Sequence, residues 1–214
     1  FIGDGAYLTN TSAFVTFGKN STSDYYCSGG NNCEENLTNA LNYVENSGGG
    51  IVLVKAGRYN TDTAINWIYN RTTLMGEGSG IYGDSASTLV AVANNLIEIN
   101  QSNVSVRLEN LKLSDTSNGQ QIGLVILFRS PTNISYANLT SDLYVNNIYF
   151  HQTALNAIRY RNPYAIDSQG YNGLGNIRIT NSKFLQNAYN TDGTEYIPGG
   201  TGTFHTLHIA GFKD

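Results

Sequence analysis

The chain has 214 residues, enough for one domain with a sizeable core. Only 13% of them are charged, about half the usual globular share, and the formal net charge is -4 with no basic run, which argues against a nucleic-acid partner. A hydrophobic share of 40% argues against disorder, and no apolar run nears the roughly 20 residues of a membrane helix, so no membrane insertion is expected.

Residues 1–31, rich in Gly, Ser, Thr and Asn, read as an irregular leading arm, and residues 32–214 as the main domain. Cys27 and Cys33 flank a Gly/Asn loop. In a secreted chain this spacing fits a small disulfide loop; in a reducing compartment it leaves two free thiols. Asn-x-Ser/Thr sequons at Asn10, Asn20, Asn36, Asn70, Asn100, Asn103, Asn133 and Asn138 fit the first alternative. The expected location is therefore extracellular, on a cell or virion surface. The chain does not begin with Met and shows no signal peptide, so a processed or trimmed form is expected.

The pattern predicts one helix, from about Cys33 to Asn46. Asn32 is expected as its N-cap with Glu35 three residues later, Leu37, Ala40, Leu41 and Val44 share a face, and Gly48-Gly49-Gly50 stops it. From Ile51 the period falls to two. Short strands are expected at 51–54, 65–69, 72–75, 88–93, 96–99 and 122–128, with no crossover helices, which points to a sandwich, barrel or solenoid.

Internal repetition favours the solenoid. Val106-Arg-Leu-Glu-Asn110-Leu-Lys-Leu-Ser, Leu143-Tyr-Val-Asn-Asn147-Ile-Tyr-Phe-His and Ile177-Arg-Ile-Thr-Asn181-Ser-Lys-Phe-Leu each read strand, Asn, strand. Leu207-His-Ile-Ala-Gly211 reads as a fourth repeat with Gly in the Asn place. Asn and Gly best tolerate the left-handed backbone of a tight bend. Stacked coils would set these Asn side chains in a ladder, with Val106, Leu108, Leu111, Leu113, Val145, Ile148, Phe150, Ile177, Ile179 and Phe184 buried. Insertions at 162–175 and 187–202 would lie on a binding face.

The stretch Gly48-Gly49-Gly50-Ile51-Val52-Leu53-Val54-Lys55-Ala56-Gly57-Arg58-Tyr59, with Thr73-Leu74-Met75-Gly76-Glu77-Gly78, resembles the pectate-lyase-like superfamily. The likeness covers about residues 33–80. It implies an all-β fold, a right-handed single-stranded parallel β-helix with a short N-terminal capping helix. Cys33-Glu34-Glu35 stands where that superfamily often has an Asp pair, and Ala56 where it often has Pro. Lyases, glycoside hydrolases, tailspikes and inactive adhesins share the fold, so it does not fix the chemistry. Asn190-Thr191-Asp192-Gly193 is similar to the first catalytic motif of polygalacturonases, but the Asp pair, Gly-His-Gly and Arg-x-Lys of that family do not follow it.

Extending the coil register by equal spacing would stack 157–161 under 191–195 and pair Arg161 with Glu195. Arg129, Arg159 and Arg161 would then line one external face, with Tyr160, Tyr164, Tyr171 and Tyr196 near its loops. Guanidinium groups pair with sugar carboxylates and rings stack on pyranose faces, so this face is the expected glycan site. Glycoside hydrolysis needs two carboxyls, for which Asp167, Asp192 and Glu195 are the candidates; a lyase would use Arg159 or Arg161. The alternative is a non-catalytic surface glycoprotein of spike or adhesin type. His151, His205 and His208 match no metal spacing, and no phosphate loop or dinucleotide fingerprint occurs, so no metal or cofactor is expected. An open solenoid end after residue 204 would need a cover: a further copy of the chain, another surface or virion protein, or more chain.

Overall fold

A computed structural model describes residues 12–28, 32–81, 83, 85–92, 96–99, 104–115, 124–129, 141–151, 156–161, 174–185 and 207–209. Within them the chain is a parallel β-solenoid whose strands fall into three sheets. Sheet A holds β1 (Ala13–Gly18), β2 (Tyr25–Tyr26), β3 (Gly50–Val54), β6 (Thr72–Gly76), β9 (Ser105–Glu109), β12 (Ser141–Asn146) and β15 (Leu174–Thr180). Sheet B holds β4 (Gly57–Thr61), β7 (Ser87–Ala91), β10 (Lys112–Asp115), β13 (Tyr149–His151) and β16 (Lys183–Leu185). Sheet C holds β5 (Ile65–Asn66), β8 (Ile97–Ile99), β11 (Leu124–Arg129), β14 (Asn156–Arg161) and β17 (Leu207–Ile209). From β3 onward the chain visits A, B and C in turn, and every pairing is parallel, coil on coil.

Alternation sends every second side chain into the bore. On sheet A the inward line runs Val15, Val52, Leu74, Leu108 and Val145, all buried. Sheet B contributes Tyr59, Leu89, Leu113 and Phe150, and the Phe150 ring stacks on Phe184 with centroids 4.6 Å apart. Full burial of one such side chain is worth about 1.5–3 kcal/mol. Trp67 is fully buried and its Nε1–H donates to the Tyr69 carbonyl at 3.1 Å and to the Ser105 carbonyl at 3.0 Å. Ile177, Ile179 and Phe184, expected in the core, are only partly buried against it. They lie on β15 and β16, which pair with nothing further among the described residues.

The bends between A and B follow the Asn reading. Asn110, Asn147 and Asn181 sit at φ of 53°, 52° and 49°, the left-handed region that Asn tolerates and most residues avoid. The amide of Asn147 donates to Asn110 Oδ1 at 3.0 Å, the first rung of the expected ladder. The next rung is displaced: Asn181 Nδ2 donates to Asn146 Oδ1 at 3.1 Å, one residue short of Asn147. Asn147 Oδ1 instead accepts from the Ser79 hydroxyl at 3.1 Å.

Helix α1 (Glu34–Asn46) covers the N-terminal coils with Leu37, Ala40, Leu41 and Val44 buried. Its N-cap is Cys33 and not Asn32, and no side chain caps it. Asn32 turns out at φ 54°, while Cys33 is fixed by a disulfide to Cys27 and by its N–H to the Asn60 carbonyl at 3.0 Å. These covalent and backbone ties take the place of a side-chain cap. The disulfide expected for an oxidising compartment is formed, and no helix among the described residues is long and apolar enough to cross a membrane. After the helix, Gly48, Gly49 and Gly50 take φ of 101°, 98° and 142°. At Gly50 a Cβ would also collide with the Ala13 backbone, so only glycine lets β1 pair there.

Two sequence expectations are corrected by the pairing. The supposed irregular arm contains β1, which pairs with β3 from Ala13↔Gly50 to Phe17↔Val54. Val15 and Phe17 are buried while Phe14 and Thr16 are not, a period of two that Ser and Thr neighbours obscure. Leu207–Ile209, read as a fourth Asn-type repeat, belongs to sheet C and pairs with β14.

Glu45 clamps the helix end to the coil. Its carboxylate accepts from the backbone N–H of Asn70 at 3.2 Å and of Arg71 at 3.0 Å, and from the Thr72 hydroxyl at 2.8 Å. Burial alone would raise its pKa, but these three donors and the Arg71 guanidinium hold it below the ordinary 4.5.

Two stability measurements check this account. Asn147→Ala forces an alanine into the left-handed bend and removes a ladder donor, so urea denaturation should show a loss of about 1–3 kcal/mol, whereas Asn147→Gly should lose only about 1 kcal/mol. Because folding depresses the Glu45 pKa, its stabilisation is fully present above pH 4.5 and lost as pH falls below it. Wild type should therefore melt above Glu45→Gln at neutral pH, with the gap closing in acid. A gap independent of pH would remove the carboxylate from the clamp.

Candidate functional site

The coil register gathers positive charge that is dispersed in the sequence. On the outer face of sheet A, Arg107, Tyr144 and Arg178 stand in one line across β9, β12 and β15. On sheet B, Lys112, Tyr149 and Lys183 stand in one line across β10, β13 and β16. The two lines lie on either side of the Asn bends: each member of the first precedes its Asn by three residues, and each of the second follows it by two. One corner of the solenoid therefore carries four cations interleaved with two tyrosines.

The tyrosines hold the cations apart. Arg107 Cζ lies 5.5 Å from the Tyr144 ring centroid. Lys112 and Lys183 place their Nζ atoms 5.3 Å and 5.0 Å from the Tyr149 centroid. Each such contact contributes about 0.5–1 kcal/mol at an exposed site. Arg107, Arg178 and Lys183 are exposed and Lys112 is half-buried. Among the described residues, no carboxylate lies within ion-pair distance of any of the four; the ion pair there is Arg71–Glu45. Asp142, nearby on β12, is occupied by the N–H of Asn176 at 2.8 Å.

His151 completes the corner, its ring edge-on to Tyr149 with centroids 5.1 Å apart. Burial lowers its pKa, and Lys112 and Lys183 lower it further, all three favouring the neutral imidazole. Among the described residues no group of three or more His, Cys, Asp or Glu side chains gathers as metal ligands would. The corner is thus a set of ammonium and guanidinium donors free to take anionic or strongly accepting oxygens.

The face expected from sequence is partly corrected. β14 pairs not with 191–195 but with β17: Ile158↔Leu207, Arg159↔His208 and Tyr160↔Ile209. The line Ile65, Ile97, Ile126, Ile158 stays apolar with Leu207, where Asp192 would have set a carboxylate in the line of the buried Ile97. The pairing of Arg161 with Glu195 goes with it. Arg129 is in register with Arg161, and Arg159 with Leu127. Tyr160 is in the line of Phe128 and Ile99, the opposite parity. Asp167, Asp192, Glu195, Tyr164, Tyr171 and Tyr196 lie outside the described residues, as do Asn10, Asn100, Asn103, Asn133 and Asn138.

The A/B corner escaped the linear reading, although its signal lies in the aligned repeats. Read down the columns, they give Arg, Tyr, Arg before the Asn and Lys, Tyr, Lys after it. The chain matches no protein-family profile, no curated protein and no solved structure.

Lys183→Met removes a positive neighbour of His151, so its pKa should move up, towards the ordinary 6.5. An NMR titration of the His151 ring reads the change. An unmoved value would show that burial alone sets it.

Proposed function

We propose that this chain is an extracellular or surface-displayed β-helix protein that engages anionic polysaccharide, with the A/B corner as a contact surface. The observation that carries the reading is the pair of cation–tyrosine–cation lines with no ion-paired carboxylate among the described residues, on a protein whose net charge is -4. Cations gathered on an acidic chain, with no carboxylate paired to them among the described residues, suit an external anion. The capping helix, the Gly turn and the disulfide support placing the chain near the secreted pectate-lyase-like β-helices.

A glycan suits the corner better than nucleic acid. A duplex carries one charge per about 1.7 Å of axis. The corner spreads four cations over three coils, about 4.8 Å apart, on a chain that is negative overall. Sparse carboxylates or sulfates on a sugar chain match that density, and sugar hydroxyls can use the intervening Tyr and Asn groups. The proposal is one of binding, as for a spike or adhesin. Cleavage by Asp167, Asp192 or Glu195 would be a further activity of the same surface class.

A glycan array followed by calorimetry with the best anionic polysaccharide and its neutral analogue tests this. A charge-assisted contact is worth roughly 1.5–3 kcal/mol, so Arg107→Ala and Lys183→Met should each weaken binding about tenfold or more. Arg161→Ala reports separately on sheet C. Equal binding of a neutral glycan, or tighter binding of an oligonucleotide, would overturn the reading, and mass spectrometry of the glycan shows whether a bond is cut.

A further inference from the structure

The fold sorts the sequons it describes by whether a glycosyl-transferring enzyme can read them in the folded chain. An Asn-x-Ser/Thr acceptor must offer both its amide nitrogen and the hydroxyl two residues on. Three sequons have described side chains, at Asn20, Asn36 and Asn70, and all three asparagines are exposed. They differ in the hydroxyl.

At Asn70 the partner is Thr72, with 0% exposure, whose hydroxyl donates to Glu45 at 2.8 Å. The Asn70 and Arg71 N–H groups donate to the same carboxylate, so the whole tripeptide is built into the helix clamp. At Asn36 the partner is Thr38, both within α1. Residues two apart on a helix do not face each other, so amide and hydroxyl point away from a common reader.

Asn20 is different. Residues 19–24 form a turn between β1 and β2 in which Ser23 is buried and Asn20, Ser21 and Thr22 are exposed. Asn20 Oδ1 accepts from the Thr22 hydroxyl at 2.5 Å and from the Thr22 N–H at 3.2 Å. Amide and hydroxyl are thus already together on one side, and Nδ2 is unbonded among the described residues. The turn is also held: Ser23 N–H donates to the Asn20 carbonyl at 3.2 Å, and Lys55 Nζ to the Thr22 carbonyl at 3.2 Å. It presents the tripeptide without local unfolding.

We infer that Asn20 is a site of N-linked glycosylation in the folded protein, and that Asn36 and Asn70 are closed to it by the fold. The donor is a lipid-pyrophosphate-linked oligosaccharide. The bond formed is from Asn20 Nδ2 to the anomeric carbon, the bond broken is from that carbon to the pyrophosphate oxygen, the lipid pyrophosphate leaves, and one amide proton is released. The inference is independent of glycan binding at the A/B corner.

The test uses the purified, disulfide-bonded chain made without glycans. It is incubated with such a donor and a transferase that requires only Asn-x-Ser/Thr, and glycopeptides are quantified by mass spectrometry. Asn20 should be filled at least tenfold over Asn36 and Asn70. Thr22→Ala should abolish transfer there and Ser21→Ala should not. In the reduced, denatured chain, the Asn70 peptide should become a substrate. An empty Asn20 in the folded chain, or Asn70 filled to a comparable level, overturns the inference.

Discussion

Everything in this molecule hangs on in-register parallel pairing of one coil with the next. A parallel ladder supplies backbone hydrogen bonds but no preference for register; the buried lines supply that, because a slip by one residue would turn a Val or Leu outward along a whole strand. The line Val15, Val52, Leu74, Leu108, Val145 fixes sheet A in this way. Once it is fixed, the Asn bends must stack, and Asn110 and Asn147 can share a hydrogen bond. Outward residues inherit the same register without having chosen it. The surface lines are therefore a consequence of the core lines, and the surface composition is free to be selected for contact with something else.

The N-terminal end shows how a solenoid protects itself against its own open edge. Unpaired strand edges invite further pairing, and here α1 lies against the first coils. Its attachments are varied: four buried apolar side chains, a disulfide at one end and a carboxylate clamp at the other. Tyr69 joins in, its hydroxyl donating to Asn42 at 3.1 Å, and its pKa is pushed up to about 12 by burial and then by Glu45. The cap is thus held by chemistry with different dependences on pH and redox state, while the coils rely on apolar packing.

What could be read from sequence divides along a physical line. The Asn bends were legible because few residues accept the left-handed backbone, so an Asn that recurs after an apolar strand marks a tight bend. The helix was legible from its apolar face and its glycine stop. The N-cap was misread because a disulfide and a backbone contact from Asn60 replaced the side chain that propensity expects at Asn32. β1 was missed because Ser, Thr and Gly neighbours dilute a six-residue alternation. The corner was missed for a deeper reason. Successive members of each line stand 37 and then 34 residues apart in sequence, so no local window contains a line, and only the register between coils brings Arg107 to Tyr144 and Lys112 to Tyr149.

The interleaving itself argues that the corner is more than an accident of coiling. Like charges in adjacent coils would stand about 4.8 Å apart and repel by roughly 0.9 kcal/mol even at the dielectric constant of water. Placing a tyrosine between them doubles the spacing, halves that repulsion to roughly 0.4 kcal/mol, and adds a favourable cation–ring contact. Both lines adopt this solution. It lets the fold carry four cations that have no carboxylate partner among the described residues.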